Sequence, residues 1–388
     1  MNRSGAWPTP TQMVAERTGR RSSRTRVSRD QALTHSAVWA CLNLRADLVS
    51  TMPVDVFRRV QGVQVEVTKP PVFVTPGLQH GGSKPQRWMS WMYATQFDLD
   101  SYGNTFGIIR SRDGANLPAV IELVSATSVT MRCKDGVITY QIGGKSYPER
   151  DIWHEKQYEV AGLPMGLSPI AHAALSISGY LSAQQFAADW FANQAIPGGH
   201  LKNTAKTLNR KESLKAKASF KAAVSSGDVW VSGNDWDYNV LGAKASEVAF
   251  LDTMGASETE VCRFLGVPGD MIDVATKSGS ITYANVTQRN LQFLITKLGP
   301  AVLRREDAFS ADLLPQPRYA KLNANALLRM DLKGRLDAYK VAIDTRIMTP
   351  TEARELEERA PLTPEQEAEF ARLFPAKAAP TVQQGVPS

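Results

Sequence analysis

A histidine beside a glutamate, a pair of aspartates and a glycine-lysine-serine run are where this 388-residue chain comes nearest to carrying chemistry. His154-Glu155 begins as a zinc-protease helix begins. That chemistry needs a second histidine one helical turn on, so that both rings reach one metal, and the position holds Tyr158. Gly144-Lys145-Ser146 imitates the end of a phosphate-binding loop, but the first glycine of that loop falls on Thr139 and the segment reads as a hairpin turn. Gly166-Leu167-Ser168 lacks the closing glycine of a nucleophile elbow, because Ile170 stands there. Asp98 and Asp100 are spaced to open an oxygen-ligand metal site, yet no acidic cluster follows, and they read as a solvated loop. His35, His172 and His200 lack ligand spacing and read as surface or hydrogen-bonded core residues. Cys41, Cys133 and Cys262, far apart and odd in number, read as reduced core thiols. The expectation is a protein with no catalytic residue, no metal and no cofactor.

The elements that would carry these residues divide the chain in two. Residues 1–30 are rich in Arg, Ser and Thr without apolar periodicity and read as a disordered basic arm. Val38, Cys41, Leu42, Ala46 and Val49 recur at helical spacing until Pro53. Alternating runs at Val54–Phe57 and Val63–Val67 meet at Gln61-Gly62, a hairpin. Arg87–Leu99 reads as a second helix, and hairpins at Asp113-Gly114, Asp135-Gly136 and Gly143-Gly144 follow it. The front of the chain is thus an α+β domain. Beyond it, Leu167–Asn193 forms one helical pattern of roughly 40 Å at 1.5 Å per residue. Asn209 and Glu212 have capping-box spacing, and Asp228–Val231 and Asp235–Leu241 read as strands. Helical patterns return over 246–265 and 281–308, and 325–374 reads as short helices.

Charge falls in blocks on a formal net charge of +7. Seven arginines lie within residues 1–30, seven lysines or arginines within 202–221, and seven glutamates within 352–369. Such blocks are solvated faces or tails, and the positive ones suit a polyanionic partner. No apolar run approaches the ~18 residues of a membrane span, and the first residues, with Arg3, Trp7 and Pro8, do not form a secretory signal. A soluble protein that stays in the compartment where it is made is expected.

A series of structural signatures remains. Ser36-Ala37-Val38-Trp39-Ala40-Cys41 opens the first helix, which closes on Met52-Pro53-Val54, and Tyr102-Gly103-Asn104-Thr105-Phe106 starts a strand. Gly166-Leu167-Ser168-Pro169-Ile170 caps the long helix, whose end reads Phe191-Ala192-Asn193-Gln194-Ala195-Ile196-Pro197-Gly198-Gly199. Phe264-Leu265-Gly266-Val267-Pro268, Tyr283-Ala284-Asn285, Leu298-Gly299-Pro300 and Thr349-Pro350-Thr351-Glu352-Ala353-Arg354 follow. In this order, over roughly residues 33–360, the series resembles the portal proteins of long-tailed phages in the branch named after the lambdoid phage Hong Kong 97. Gln194 and Gly269 depart locally from that pattern.

The resemblance implies an α+β portal fold: a wing at 31–165, long paired stem helices at 166–195 and 246–265, and a clip at 196–245. A channel-facing tunnel loop at 266–281, a long helix returning to the wing over 282–329, a crown at 330–374 and a tail at 375–388 complete it. It implies a dodecameric ring at one capsid vertex of the virion, made in the host cytoplasm, that passes double-stranded DNA without sequence readout. It also implies partners in the terminase, the major capsid or scaffold protein and a head-tail adaptor, with no membrane. Lys277, Ser278 and Ser280 would face DNA, and Arg20, Arg21, Arg24 and Arg26 of the arm would contact scaffold, capsid or DNA. The rival reading is a nonspecific DNA-binding or nuclease-like packaging component.

Overall fold

The computed structural model describes residues 27–78, 84–134, 137–192, 199–225, 235–240, 247–274, 283–324, 332–357 and 359–373. They fall into two units, divided after Asn323.

The first unit starts inside the stretch read as an arm. Ser28 and Gln31 form a reciprocal capping box that opens helix α1, Arg29–Leu33. Helix α2, Ser36–Ser50, buries Val38, Cys41, Leu42, Ala46 and Val49 on one face. Strands β1, Val54–Val60, and β2, Val63–Glu66, join through Gln61 and Gly62 at φ 49° and 85°, the two positive values that a tight two-residue hairpin turn requires. Short strands β3, Gly77–Leu78, and β4, Pro85–Gln86, precede helix α3, Trp88–Tyr102, which packs along α2.

Strands β5, Asn104–Arg112, and β6, Pro118–Val124, follow, then β7, Val129–Lys134, β8, Val137–Ile142, and β9, Lys145–Pro148. Strand β10, Ile152–Lys156, returns to pair with β5, giving an antiparallel sheet of order β10-β5-β6 beside the meander β7-β8-β9. Phe106, Ile108, Val129, Met131, Tyr140 and Ile152 fill the space between them.

The long helix α4 covers Pro169–Ala192. Strands β11, Gly199–Asn203, and β12, Trp236–Val240, pair around helix α5, Arg210–Ser225, whose start carries the capping box expected of Asn209 and Glu212. Of the two strands expected there, Asp228–Val231 lies outside the described residues. Helix α6, Glu247–Leu265, packs against α4.

The run expected as one helix is interrupted. Helix α7, Tyr283–Phe293, passes through a π-helical turn at Leu294–Leu298 into helix α8, Gly299–Asp312. Pro300 has no N–H for the Thr296 carbonyl, so the i→i−4 ladder must shift just ahead of it. Nor does the helix continue towards residue 329. It ends at Asp312, and Arg318–Leu322 forms strand β13, which pairs with β1 from Val54↔Leu322 to Arg58↔Arg318.

The second unit contains helices α9, Leu332–Asp344, α10, Pro350–Leu356, and α11, Pro364–Leu373. Thr349 and Glu352 box the start of α10, and the Arg335 guanidinium donates to both Glu357 oxygens.

Candidate functional site

Lys277, Ser278 and Ser280 lie outside the described residues, as do Arg20, Arg21, Arg24 and Arg26. The root from which the 275–282 segment leaves and returns is described. Helix α6 stops at Leu265 because Gly266 turns left-handed at φ 69° and Val267 N–H reaches back 3.0 Å to the Cys262 carbonyl. Pro268 then opens a 3-10 turn, Gly269–Ile272, which a second left-handed residue, Asp273, closes. Arg289 of α7 donates to Asp270 at 2.9 Å and ties this turn to the returning helix. A cavity of about 470 Å³ opens beside the root, lined in part by Cys262, Arg263, Pro268, Asp270, Arg289 and Lys297. Three cations against one carboxylate give its wall a net positive charge.

The helix pair leading to this root is held by polar contacts. Ser257 of α6 donates to the Ser176 carbonyl of α4 at 2.8 Å, and the Ser176 hydroxyl donates to Glu260. At the near end of α4, Ser168 accepts from Ala171 N–H at 3.2 Å and donates to the Ser101 carbonyl at 2.8 Å. Pro169 occupies the first helical position, where its missing N–H costs nothing.

Tyr102-Gly103-Asn104 and Gly166-Leu167-Ser168 prove to be two halves of one joint. Asn104 Nδ2 donates to the Gly166 carbonyl and its Oδ1 accepts from Gly166 N–H, both at 2.8 Å. Gly103 sits at φ 70°, and a Cβ there would fall 2.2 Å from the Leu167 carbonyl oxygen. Only glycine fits.

Of the residues singled out for chemistry, Glu155 and Asp100 are buried, His154 and Asp98 are half-buried, and Lys145, Ser146 and His172 are exposed. His154 lies on β10, stacked on Phe106; its Nε2–H donates to Asn104 Oδ1 at 3.1 Å, so Nδ1 accepts from the Tyr140 hydroxyl at 3.2 Å. This is a neutral imidazole, and burial, aided by Lys156, brings its pKa down to about 3. Glu155 is buried, and its burial pushes the carboxyl up against the pull of Arg305. Asp98 and Asp100 are on helix α3, not in a solvated loop, and Asp100 is 1% exposed.

Four elements meet there. Arg305 of α8 donates to Glu155 at 3.0 and 3.2 Å, to Thr95 at 2.7 Å and to Gln96 Oε1 at 3.3 Å. Gln96 donates to Asp100 at 2.7 Å, and Arg45 of α2 donates to the other Asp100 oxygen at 2.8 Å. Both carboxylate oxygens of Glu155 and both of Asp100 are thus answered, as buried carboxylates require. Among the described residues no three His, Cys, Asp or Glu side chains gather as a metal site, and no helix is long and apolar enough to cross a membrane.

Sequence reasoning missed Arg45 and Arg305 because nothing local marks their partners. One other reading changes: His35 is fully buried with neither ring nitrogen hydrogen-bonded among the described residues, whereas Cys41 and Cys262 are free, buried thiols as expected. The 202–221 block does behave as a solvated face: Lys202, Lys206, Arg210, Lys211, Lys215 and Lys217 are exposed, and Lys206 pairs with Glu212 at 3.0 Å.

Small antiparallel sheets, the long helix pair of α4 and α6 and the loop root surround these residues. The family model for phage portal proteins matches residues 36–358, and the chain belongs to that family. The portal protein of Enterobacteria phage HK97 is 25% identical over 350 residues, 87% of this chain and 81% of its own. The probable portal protein of Streptomyces phage phiC31 is 26% identical over 358 residues, 87% of this chain and 77% of its own. Among solved structures, an HK97-family phage portal protein from Corynebacterium diphtheriae superposes with a TM-score of 0.60 at 19% identity, over 78% of this chain and 98% of that one. A chain from the neck of a native gene transfer agent particle, computed with C12 symmetry, gives a TM-score of 0.52 at 19% identity over 91% and 99%.

Proposed function

We propose that twelve copies of this chain close into a ring at one capsid vertex, through which double-stranded DNA is packaged and ejected and on which terminase and the head-tail adaptor dock. Capsid or scaffold protein would hold the ring from outside. The twelve-fold count is suggested by the C12 neck that shares the fold. In this reading residues 31–165 act as the wing, α4 and α6 as the stem, the β11–β12 segment with α5 as the clip, and 330–374 as the crown. Ring closure needs one surface of each subunit to meet a different surface of the next. The exposed apolar side chains Leu291, Ile295 and Leu303, successive along α7 and α8, suit such a contact.

The observation that carries the reading is the positive loop root. Arg263, Arg289 and Lys297 surround the anchors of the segment that holds Lys277, Ser278 and Ser280. Repeated around a ring, they form a collar of cations at one height. Exposed phosphate contacts are each worth about 1 kcal/mol or less and are screened over roughly 8–10 Å at physiological salt. They steady a duplex without arresting it, and they carry no sequence readout.

Negative-stain microscopy of the purified chain should give turbine-like rings with a central hole; monomers or dimers would favour the nonspecific DNA-binding or nuclease-like alternative. Lys277→Glu should leave rings intact and reduce packaged DNA or its retention, and shortening 275–280 should do so more strongly. Full-length genomes held at wild-type yield by both variants would remove the loop from the channel.

A further inference from the structure

We propose that the tip of the β1–β2 hairpin of one copy docks on the exposed apolar row of helices α7 and α8 of the next. Each copy then carries both halves of the contact. The proposal rests on the ring reading above and names the two surfaces that close it.

Strand parity places the first surface. Val54, Val56, Arg58 and Val60 share one face of β1, and the pairs Val60↔Val63 and Arg58↔Val65 put Val63 and Val65 on that same face. The face begins as core, where Val56 is 0% exposed, and ends in solvent, where Val63 is 65% exposed and Val60 and Val65 are exposed with it. The reason is the length of α8. Glu306 accepts from Leu322 N–H and the Ser310 hydroxyl from Ala320 N–H, and these two residues of β13 pair with Val54 and Val56. Four residues of helix and two of strand both span about 6 Å, so α8 and β1 run side by side in one direction. Helix α8 stops at Asp312, while β1 continues from Val56 to Val60 at about 3.3 Å per residue. The hairpin tip therefore overhangs the helix and presents three valines.

The second surface lies at the other end of the same line. Leu291 and Ile295 are one α turn apart, and Leu303 follows Ile295 by one residue more than two α turns. The π turn at Leu294–Leu298 takes up the extra residue and returns Leu303 to the row. All three are exposed, Ile295 at 64%, while Phe293, Leu298, Ala301 and Val302 are buried. Counting back from Glu306 to Ile295 and forward from Val54 to Val60 sets the two surfaces roughly 35 Å apart. They cannot meet within one chain, and two unlike surfaces far apart are what head-to-tail closure needs.

Charge complements the apolar match. Arg58 stands on the valine face of the hairpin, and Asp307 continues the row one turn beyond Leu303. Both are exposed, and neither is ion-paired among the described residues. Across the contact the guanidinium of one copy meets the carboxylate of the next, which selects a second copy as the occupant.

The test uses the full-length protein, read by negative-stain microscopy and by mass in solution. Arg58→Asp and Asp307→Arg should each cut the assembled fraction by about tenfold or more with an unchanged Tm, and the chain carrying both should regain it. Val63→Cys and Ile295→Cys in one chain, treated with a short bis-maleimide, should give a ladder of joined chains, absent from wild type and from either single variant. If a reversal variant fails to fold, the cross-linking decides alone. Wild-type rings combined with a missing ladder, or with reversals that leave assembly untouched, overturn the docking and leave the ring reading in place. A ladder from Val63→Cys or Ile295→Cys alone means that like surfaces meet, and overturns the docking as well. Wild-type protein without rings removes both readings.

Discussion

His35 begins α2 with its ring stacked on Tyr180 of α4, centroids 3.8 Å apart. Burial brings its pKa from 6.5 down to about 4. In the unfolded chain the ring takes a proton near pH 6.5; in the fold it does so only near pH 4. Its contribution is therefore full above pH 6.5 and is lost as pH falls towards 4, an acid penalty of about 3 kcal/mol. His35→Phe keeps a ring on Tyr180 and removes the titration. Urea unfolding at several pH values should show wild type losing stability relative to the variant between pH 6.5 and 4, and parallel curves would refute the assignment. The sequence supplied the identity of such residues but not their surroundings. Arg305 and Glu155 are 150 positions apart, and a buried ion pair at that distance leaves no periodic trace.

Among elements, legibility followed the length of the signal. Helices α2, α3, α4 and α6, whose apolar or helical patterns run over several turns, lie within a few residues of where the pattern placed them. Strand β13 has five residues, Arg318–Leu322, and its register depends on β1, far away in the chain. The π turn had a local sign in Leu298-Gly299-Pro300, because a proline inside a helical run must disturb the ladder. The glycines separate by what surrounds them. Gly103 and Gly62 both have positive φ, but a Cβ at Gly62 would meet nothing within 4 Å, while one at Gly103 would meet the Leu167 backbone at 2.2 Å. Gly62→Ala should cost about 1 kcal/mol, the conformational term alone. Gly103→Ala should cost more than about 2 kcal/mol, because the α3–β5 joint must open as well. Denaturant titration of the two variants compares them directly; equal losses would mean that the joint is not as tight as Asn104 and Gly166 make it.

At the scale of the whole molecule, the boundary between tail and fold determines what the basic N-terminal segment can do. By composition the arm ran to residue 30, yet Ser28 caps α1 and Arg29 is built into the fold. The Arg29 guanidinium lies 5.0 Å from the Phe97 ring centroid and 5.7 Å from that of Tyr102, and 3.5 Å from Asp98. Composition could not separate Arg29 from its neighbours, since its difference lies wholly in the aromatic surface of α3. Removing residues 1–26 takes away six arginines and Glu16 and lowers the formal net charge from +7 to +2, without touching a described contact. Removing 1–33 also strips Arg29 and the fully buried Ala32 and uncovers the face of α3. The shorter deletion should therefore keep the wild-type Tm, whereas the longer one should lower it by several degrees, as the loss of one to a few kcal/mol does. Phosphate contacts release counterions, so if the arm touches DNA, the 1–26 deletion should flatten the dependence of log K for duplex DNA on log salt concentration. Measured on assembled protein, with incorporation into procapsids scored in parallel, the two deletions separate folding from binding. A Tm that falls with the first deletion would place the segment before Val27 in the fold. An unchanged salt slope with reduced incorporation would direct its arginines to capsid or scaffold protein rather than to DNA.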